Sequence, residues 1–168
     1  GQYDNYTPLQ LAVYAATLGN NGTRLSPHIV QGIYEGGTDG QPGTLIKNIT
    51  PKIMDKVNIT PDNMDVLHQG MYAVVHGAGG LTTGRSKVSI SGKTGTSEST
   101  KVLADGSQVI VTANNAVAFA PSDNPEIAIA VVLPDNTESN ASSGTKANQS
   151  IVTGITDLYY SNEAFRKN

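Results

Sequence analysis

Residues 89–100 read "SISGKTGTSEST". Val88 and Ile90 alternate into Gly92-Lys93-Thr94-Gly95-Thr96 with the period of a strand. Strands normally avoid glycine, which weakens the ladder and leaves nothing to pack. Here two glycines bracket a lysine and a threonine within such a run. Strict alternation places Thr94 and Thr96 on one face and Lys93 on the other. For all of them to serve one cleft, that cleft must run along the strand's edge. The competing reading is a solvated edge lysine that discourages edge-to-edge pairing.

Downstream, "VIVTANNAVAFAP" and "EIAIAVVLP" are β-rich runs separated by the dense turn signal "PSDNP". They read as neighbouring antiparallel strands, the second apolar enough to be covered on both faces. Ala147, Ile151, Ile155 and Leu158 then recur every three or four residues, which predicts a closing amphipathic helix with that stripe inward.

Upstream, Thr7-Pro8 supplies an N-cap oxygen and a proline at the first helical position. Leu9, Ala12, Val13 and Ala16 follow at helical spacing, and "GNNG" at 19–22 tolerates a left-handed stop, so a helix is expected over 8–18. Thr60-Pro61 repeats the device, with Asp62 at the positive end of the helix dipole and a stripe of Met64, Leu67, Met71, Val74 and Val75. The methionines are expected to fill core. Between these helices, "RLSPHIVQGIYE" reads as an extended edge element, residues 36–43 as a glycine-rich surface loop, and Thr50-Pro51 as the start of a short helical turn. "HGAGGLTTGRSK" breaks the second helix and crosses to the Lys-Thr-Gly strand. Helices, then three strands, then a helix make an α+β domain, an antiparallel sheet flanked by helices, with no repeat or internal boundary over residues 1–168.

Composition narrows the chemistry. The 168 residues are 38% hydrophobic, enough for a core, and the formal net charge is −3. There is no Lys/Arg run of the kind that tracks nucleic acid. The longest apolar run, Ile127 to Leu133, is too short to span a bilayer, and residues 1–10 lack the charged-then-apolar pattern of a signal peptide. Without cysteine there is no disulfide or thiolate metal site. His28, His68 and His76 show no metal-ligand spacing and read as surface or capping residues.

A bare Lys-Thr-Gly arises by chance in roughly a few per cent of chains this long, but it is also a signature of penicillin-binding proteins and serine β-lactamases. "GQYDNYTPLQLAVYAATLGNNGTRLSPHIV" resembles the segment after the active-site Ser-x-Asn in class B penicillin-binding proteins. "SGKTGTSES", "NNAVAFAPSDNPEIAIAVVLP" and the last helix continue the likeness in the family's order, over nearly the whole chain. Within the family it is similar to members from Gram-positive cocci. The resemblance implies the C-terminal portion of the penicillin-binding protein and serine β-lactamase transpeptidase fold. It further implies a D,D-transpeptidase that moves an acyl group from D-Ala-D-Ala stem peptides of peptidoglycan, is acylated by β-lactam antibiotics, and uses no metal or organic cofactor. Lys93, Thr94, Gly95 and Thr96 would bind the substrate: Lys93 by positive charge within the proton relay, Thr94 and Thr96 by hydroxyls on the carboxylate, Gly95 by admitting the peptide to the strand edge. Lys93 and the Thr96 N–H, one of two oxyanion donors, would be catalytic. Glu98 reads either as a carboxylate near the cleft mouth or as a solvent-exposed loop residue.

The family also needs a Ser-x-x-Lys and a Ser-x-Asn, both preceding Lys-Thr-Gly. Two matches here follow it instead. Ser122-Asp123-Asn124 has the composition of a turn, and Ser143 and Thr145, in Ser143-Gly144-Thr145-Lys146, suit helix N-caps. Neither is taken as catalytic. The expected chain is a C-terminal piece of a longer protein whose N-terminal remainder carries both motifs and whose relatives are membrane-anchored with catalytic domains outside the cytoplasm. A serine β-lactamase or β-lactam sensor, or a non-catalytic binding module of the same fold, are the alternatives.

Overall fold

The computed structural model describes residues 4–77, 86–136 and 141–166. Helix α1 spans Pro8–Gly19 and opens as its sequence dictates. The Thr7 hydroxyl accepts from the Gln10 N–H at 3.2 Å, and the Gln10 side chain accepts from the Thr7 N–H at 2.8 Å, a reciprocal capping box. The chain leaves the helix through left-handed Asn21 and Gly22, at φ 49° and 84°. Helix α2 spans Pro61–His76 behind its Thr60 cap, with Met64, Met71 and Val75 buried and Leu67 and Val74 half-buried. His68 takes the capping alternative of its reading. Its Nε2–H donates to the Leu18 carbonyl of α1's last turn at 2.8 Å, and its ring leans on Phe119. It therefore caps one helix from another. His76 donates in the same way to the Ile90 carbonyl at 3.1 Å, its ring stacked on Tyr72.

Three long strands, β5 (Ser91–Val102), β6 (Gln108–Ala120) and β7 (Ile127–Asn136), form an antiparallel sheet in the order β5-β6-β7. Alternation sorts β6 cleanly. Ala116, Ala118 and Ala120 face helix α3 (Ala141–Ser161), and their small size lets it lie close. Val75, Ile90, Ile129, Val131 and Val152 complete this core. Phe119, fully buried, points to the opposite face and meets Gly19 of α1. Strand β7 is packed by α1 and by α3, as its apolar run implied. A short helix α4 (Glu163–Arg166) follows. No helix among the described residues is long and apolar enough to cross a membrane.

Three expectations need correction. Thr50-Pro51 opens no helical turn: Ile53–Lys56 is a strand, β4, paired antiparallel with β1 (Thr23–Leu25), and Gly32–Tyr34 (β2) pairs with Leu45–Asn48 (β3). Strands of three or four residues are too short to show a period. The β1–β4 ladder sets Arg24 opposite Asp55, with Nε–H donating to Oδ1 at 2.9 Å. Second, α3 is rotated by about one residue from the predicted stripe. Its buried line is Asn148, Val152 and Thr156, whereas Ile151, Ile155 and Leu158 are 38%, 42% and 58% exposed. Thr156 reads as polar but donates its hydroxyl proton to the Val152 carbonyl at 2.8 Å, so it packs as a small side chain. Third, α3 begins at Ala141, so Ser143 and Thr145 stand inside the helix and not at its cap. The segment 78–85, read as a break and crossover, lies outside the described residues.

Candidate active site

The Lys-Thr-Gly-Thr segment lies near the start of β5, which among the described residues pairs only with β6 and has no strand on its other edge. The register sets Lys93 opposite Val117, Thr94 opposite Ala116, Gly95 opposite Asn115 and Thr96 opposite Asn114. Thr94 and Thr96 therefore share the face that α3 covers, and Lys93 and Gly95 the other. All four nevertheless line one open cleft of about 510 Å³. Its far wall is not on the sheet. It comes from the extended segment before α1, at Asp4 and Tyr6, and from Tyr14 on α1 itself.

Lys93, Gly95 and Thr96 are exposed and Thr94 is half-buried. The Lys93 ammonium donates to the Thr94 carbonyl at 2.5 Å, a contact an incoming carboxylate can compete for. The Thr96 hydroxyl donates to Oδ1 of Asn114, itself fully buried, at 3.2 Å. Glu98 is on strand β5 and not in a loop; it is exposed, opposite Thr112, and beyond the residues that line the cleft. A larger depression of about 770 Å³, lined by Leu9, Arg24, Met54 and Val57 among others, holds none of the four.

Ser122 is committed elsewhere. Its N–H donates to the carbonyl and hydroxyl oxygens of Ser89 at 3.1 Å, and its hydroxyl accepts from Ser91 at 2.9 Å. These bonds tie the β6–β7 turn to the start of β5. Ser143 and Lys146 belong to the first two turns of α3. Among the described residues no three histidine, aspartate or glutamate side chains gather as metal ligands would.

Sequence reading missed Tyr6, Tyr14 and Asn114. The tyrosines were reachable in principle, because Thr7-Pro8 fixes where the extended segment meets α1. Asn114 carried a signal too: paired asparagines are out of place in a β-run, where Asn is depleted.

Residues 1–157 match the model of the penicillin binding protein transpeptidase domain. The chain belongs to this family. Penicillin-binding protein 2B of Streptococcus pneumoniae strain R6 is 54% identical over 164 residues, covering 95% of this chain and 23% of that protein. The solved structure of that pneumococcal protein superposes with a TM-score of 0.82 at 51% identity, covering 96% of this chain and 26% of the other. Peptidoglycan D,D-transpeptidase MrdA of Acinetobacter baumannii is 31% identical over 134 residues, 75% of this chain and 19% of that protein. The resemblance to class B members from Gram-positive cocci thus agrees with the comparison, as does the α+β fold. The chain spans about a quarter of the length of the pneumococcal relative.

Proposed function

We propose that this chain supplies the Lys-Thr-Gly-Thr wall of a serine D,D-transpeptidase, as the C-terminal portion of a single domain. The observation that carries the reading is the meeting of Lys93, Thr94, Gly95 and Thr96 in one cleft whose floor runs from β5 over Asn115 and Val117 of β6 to Val132 of β7. The substrate is a peptidoglycan stem peptide ending in D-Ala-D-Ala. Its terminal carboxylate needs charge-assisted donors, which the Lys93 ammonium and the Thr94 and Thr96 hydroxyls supply. Gly95, with nothing within 4 Å of where a Cβ would stand, leaves room for the peptide to add itself as a strand.

The nucleophile is the serine of a Ser-x-x-Lys in the remainder of the protein. Its Oγ attacks the penultimate D-Ala carbonyl, the C–N bond breaks, and the terminal D-Ala leaves as its amine takes up a proton. The resulting acyl ester is then passed to an amine of a second peptide. During attack the carbonyl oxygen gains charge. The Thr96 N–H is one of two donors that stabilise it, worth about 3 kcal/mol of barrier by comparison with other acyl-transfer sites. β-Lactams open on the same serine. The work is on the outer side of the cell membrane, with the anchor elsewhere in the protein.

Fluorescent penicillin tests this, applied to the chain alone and to the chain joined or mixed with its N-terminal remainder, with the adduct located by mass spectrometry. Label on the remainder's serine and none on this chain is the expected result. Label on Ser143 or Ser122 of the isolated chain overturns the split of the site. A well-folded complex that takes no label leaves a non-catalytic binding module, and rapid release of the label makes it a β-lactamase.

A further inference from the structure

Asn114 has an environment that the reading above does not use. It is fully buried in the middle of β6, where a primary amide costs free energy unless its groups are bonded. Both partners are threonine hydroxyls. Oδ1 accepts from Thr96 Oγ1 at 3.2 Å directly across the ladder, and Nδ2 donates to Thr112 Oγ1 at 3.5 Å, two residues back on the same face. The β6–β7 register shifts between Thr112 and Asn114, with the extra residue on β7, so the neighbouring strand is irregular beside this chain of groups.

We propose that Asn114 is a positioning residue for carboxylate recognition, its side-chain amide setting the direction in which the Thr96 hydroxyl donates. The inference rests on the reading of Thr96 as a carboxylate donor. A hydroxyl has one proton, and when Thr96 gives it to Asn114 it has none for a ligand. Turning the amide by half a revolution brings Nδ2 to Thr96 and Oδ1 to Thr112. Threonine hydroxyls both donate and accept, so each can take either role towards the amide. The Thr96 proton is then free to point into the cleft. A ligand carboxylate draws its donor from this second polarity and so selects it. Asparagine is suited to this because its two ends are nearly equal in size and opposite in role. Aspartate, acceptor-only when ionised, holds the Thr96 proton inward. Leucine leaves it undirected.

The test compares acylation of the complete transpeptidase domain by benzylpenicillin and by its methyl ester, which lacks the carboxylate. Asn114→Leu should slow acylation by the acid about tenfold and Asn114→Asp by more, with the ester changed less than about twofold. In a Thr96→Val background, Asn114→Leu should have no further effect on the acid. A role in packing alone slows both compounds alike and overturns the proposal. So does a wild-type rate for Asn114→Asp when Thr96→Val is impaired. A Thr96→Val variant that keeps its full preference for the acid overturns the underlying reading of Thr96 instead. Should the variants not fold, NMR of the wild-type domain decides: the Asn114 side-chain amide signals should move on acylation by penicillin and stay in place with the ester. Equal movement with both, or none with either, overturns it.

Discussion

Gly92 lies so close to β6 that a Cβ built on it stands 2.9 Å from the Val117 carbonyl oxygen and 3.2 Å from Ala118 Cβ. Gly95, three residues on, meets nothing within 4 Å. The two glycines of the motif therefore have different jobs, and alanine separates them. Gly92→Ala must push β5 away from backbone atoms that cannot yield, and should destabilise the domain by about 1–3 kcal/mol. Gly95→Ala should leave the melting temperature nearly unchanged but slow penicillin acylation about tenfold or more, because its methyl group enters the space a ligand takes. Thermal unfolding and acylation kinetics on the same two variants check both halves. A Gly95→Ala protein acylated at the normal rate would mean that no ligand runs along this edge.

Lys93 is exposed, and among the described residues its side chain bonds only the neighbouring Thr94 carbonyl, so little of the fold depends on it. Lys93→Ala should keep the wild-type melting curve while acylation falls by about a hundredfold, the range in which a positioned proton-transfer group acts. Acylation at the wild-type rate by a folded variant would remove Lys93 from the mechanism.

Much of this architecture could be read before any coordinates. Thr7-Pro8 and Thr60-Pro61 announced α1 and α2, because capping is a local affair of four residues. The three long strands followed from period and turn chemistry. The missing parts depend on partners distant in sequence. Strands β1 to β4 are defined by pairings between separated segments, Arg24 opposite Asp55 and Gly32 opposite Asn48. The rotation of α3 has a similar origin. An apolar stripe says which residues prefer burial, but the alanine face of β6 accepts Asn148, Val152 and Thr156, leaving Ile151, Ile155 and Leu158 outward. At the site, Lys93 to Thr96 were legible as a motif. Tyr6 and Asn114 carried weaker signals, whose meaning depends on the segment before α1 and the strand beside Thr96 coming together.

Tyr160 gives a pH prediction. Its hydroxyl donates to the Ala120 carbonyl at 3.3 Å, and burial, aided by the nearby Glu126 carboxylate, pushes its phenol up to about 12. In the unfolded chain the group titrates near 10. The folded state thus holds this proton more tightly, so the stabilisation is complete below pH 10 and is lost as pH rises through 12. Ultraviolet titration should show one tyrosine ionising about two units late, and Glu126→Gln should recover only a minor part of that delay, since burial is the larger cause. A single unshifted tyrosine population would contradict the packing of α3 on the end of β6.

The last prediction concerns Asn148, which is 1% exposed and whose side-chain oxygen and nitrogen have no partner among the described residues. It borders a cavity of about 20 Å³ between α3 and the back of the Lys-Thr-Gly strand, together with Gly92, Thr94, Ala116 and Val152. A buried amide with nothing to bond costs roughly 1–3 kcal/mol, and a space of this size falls short of a second methyl-bearing side chain. Asn148→Leu removes both unbonded atoms, adds apolar contact to Val75 and Val152, and should raise the stability of the complete domain by about 1 kcal/mol. That corresponds to a melting temperature a few degrees higher. Acylation kinetics give a second readout, because Lys93 and Thr94 border both this cavity and the cleft. A variant that instead melts several degrees lower would mean that the Asn148 amide makes a stabilising bond beyond those of the described residues.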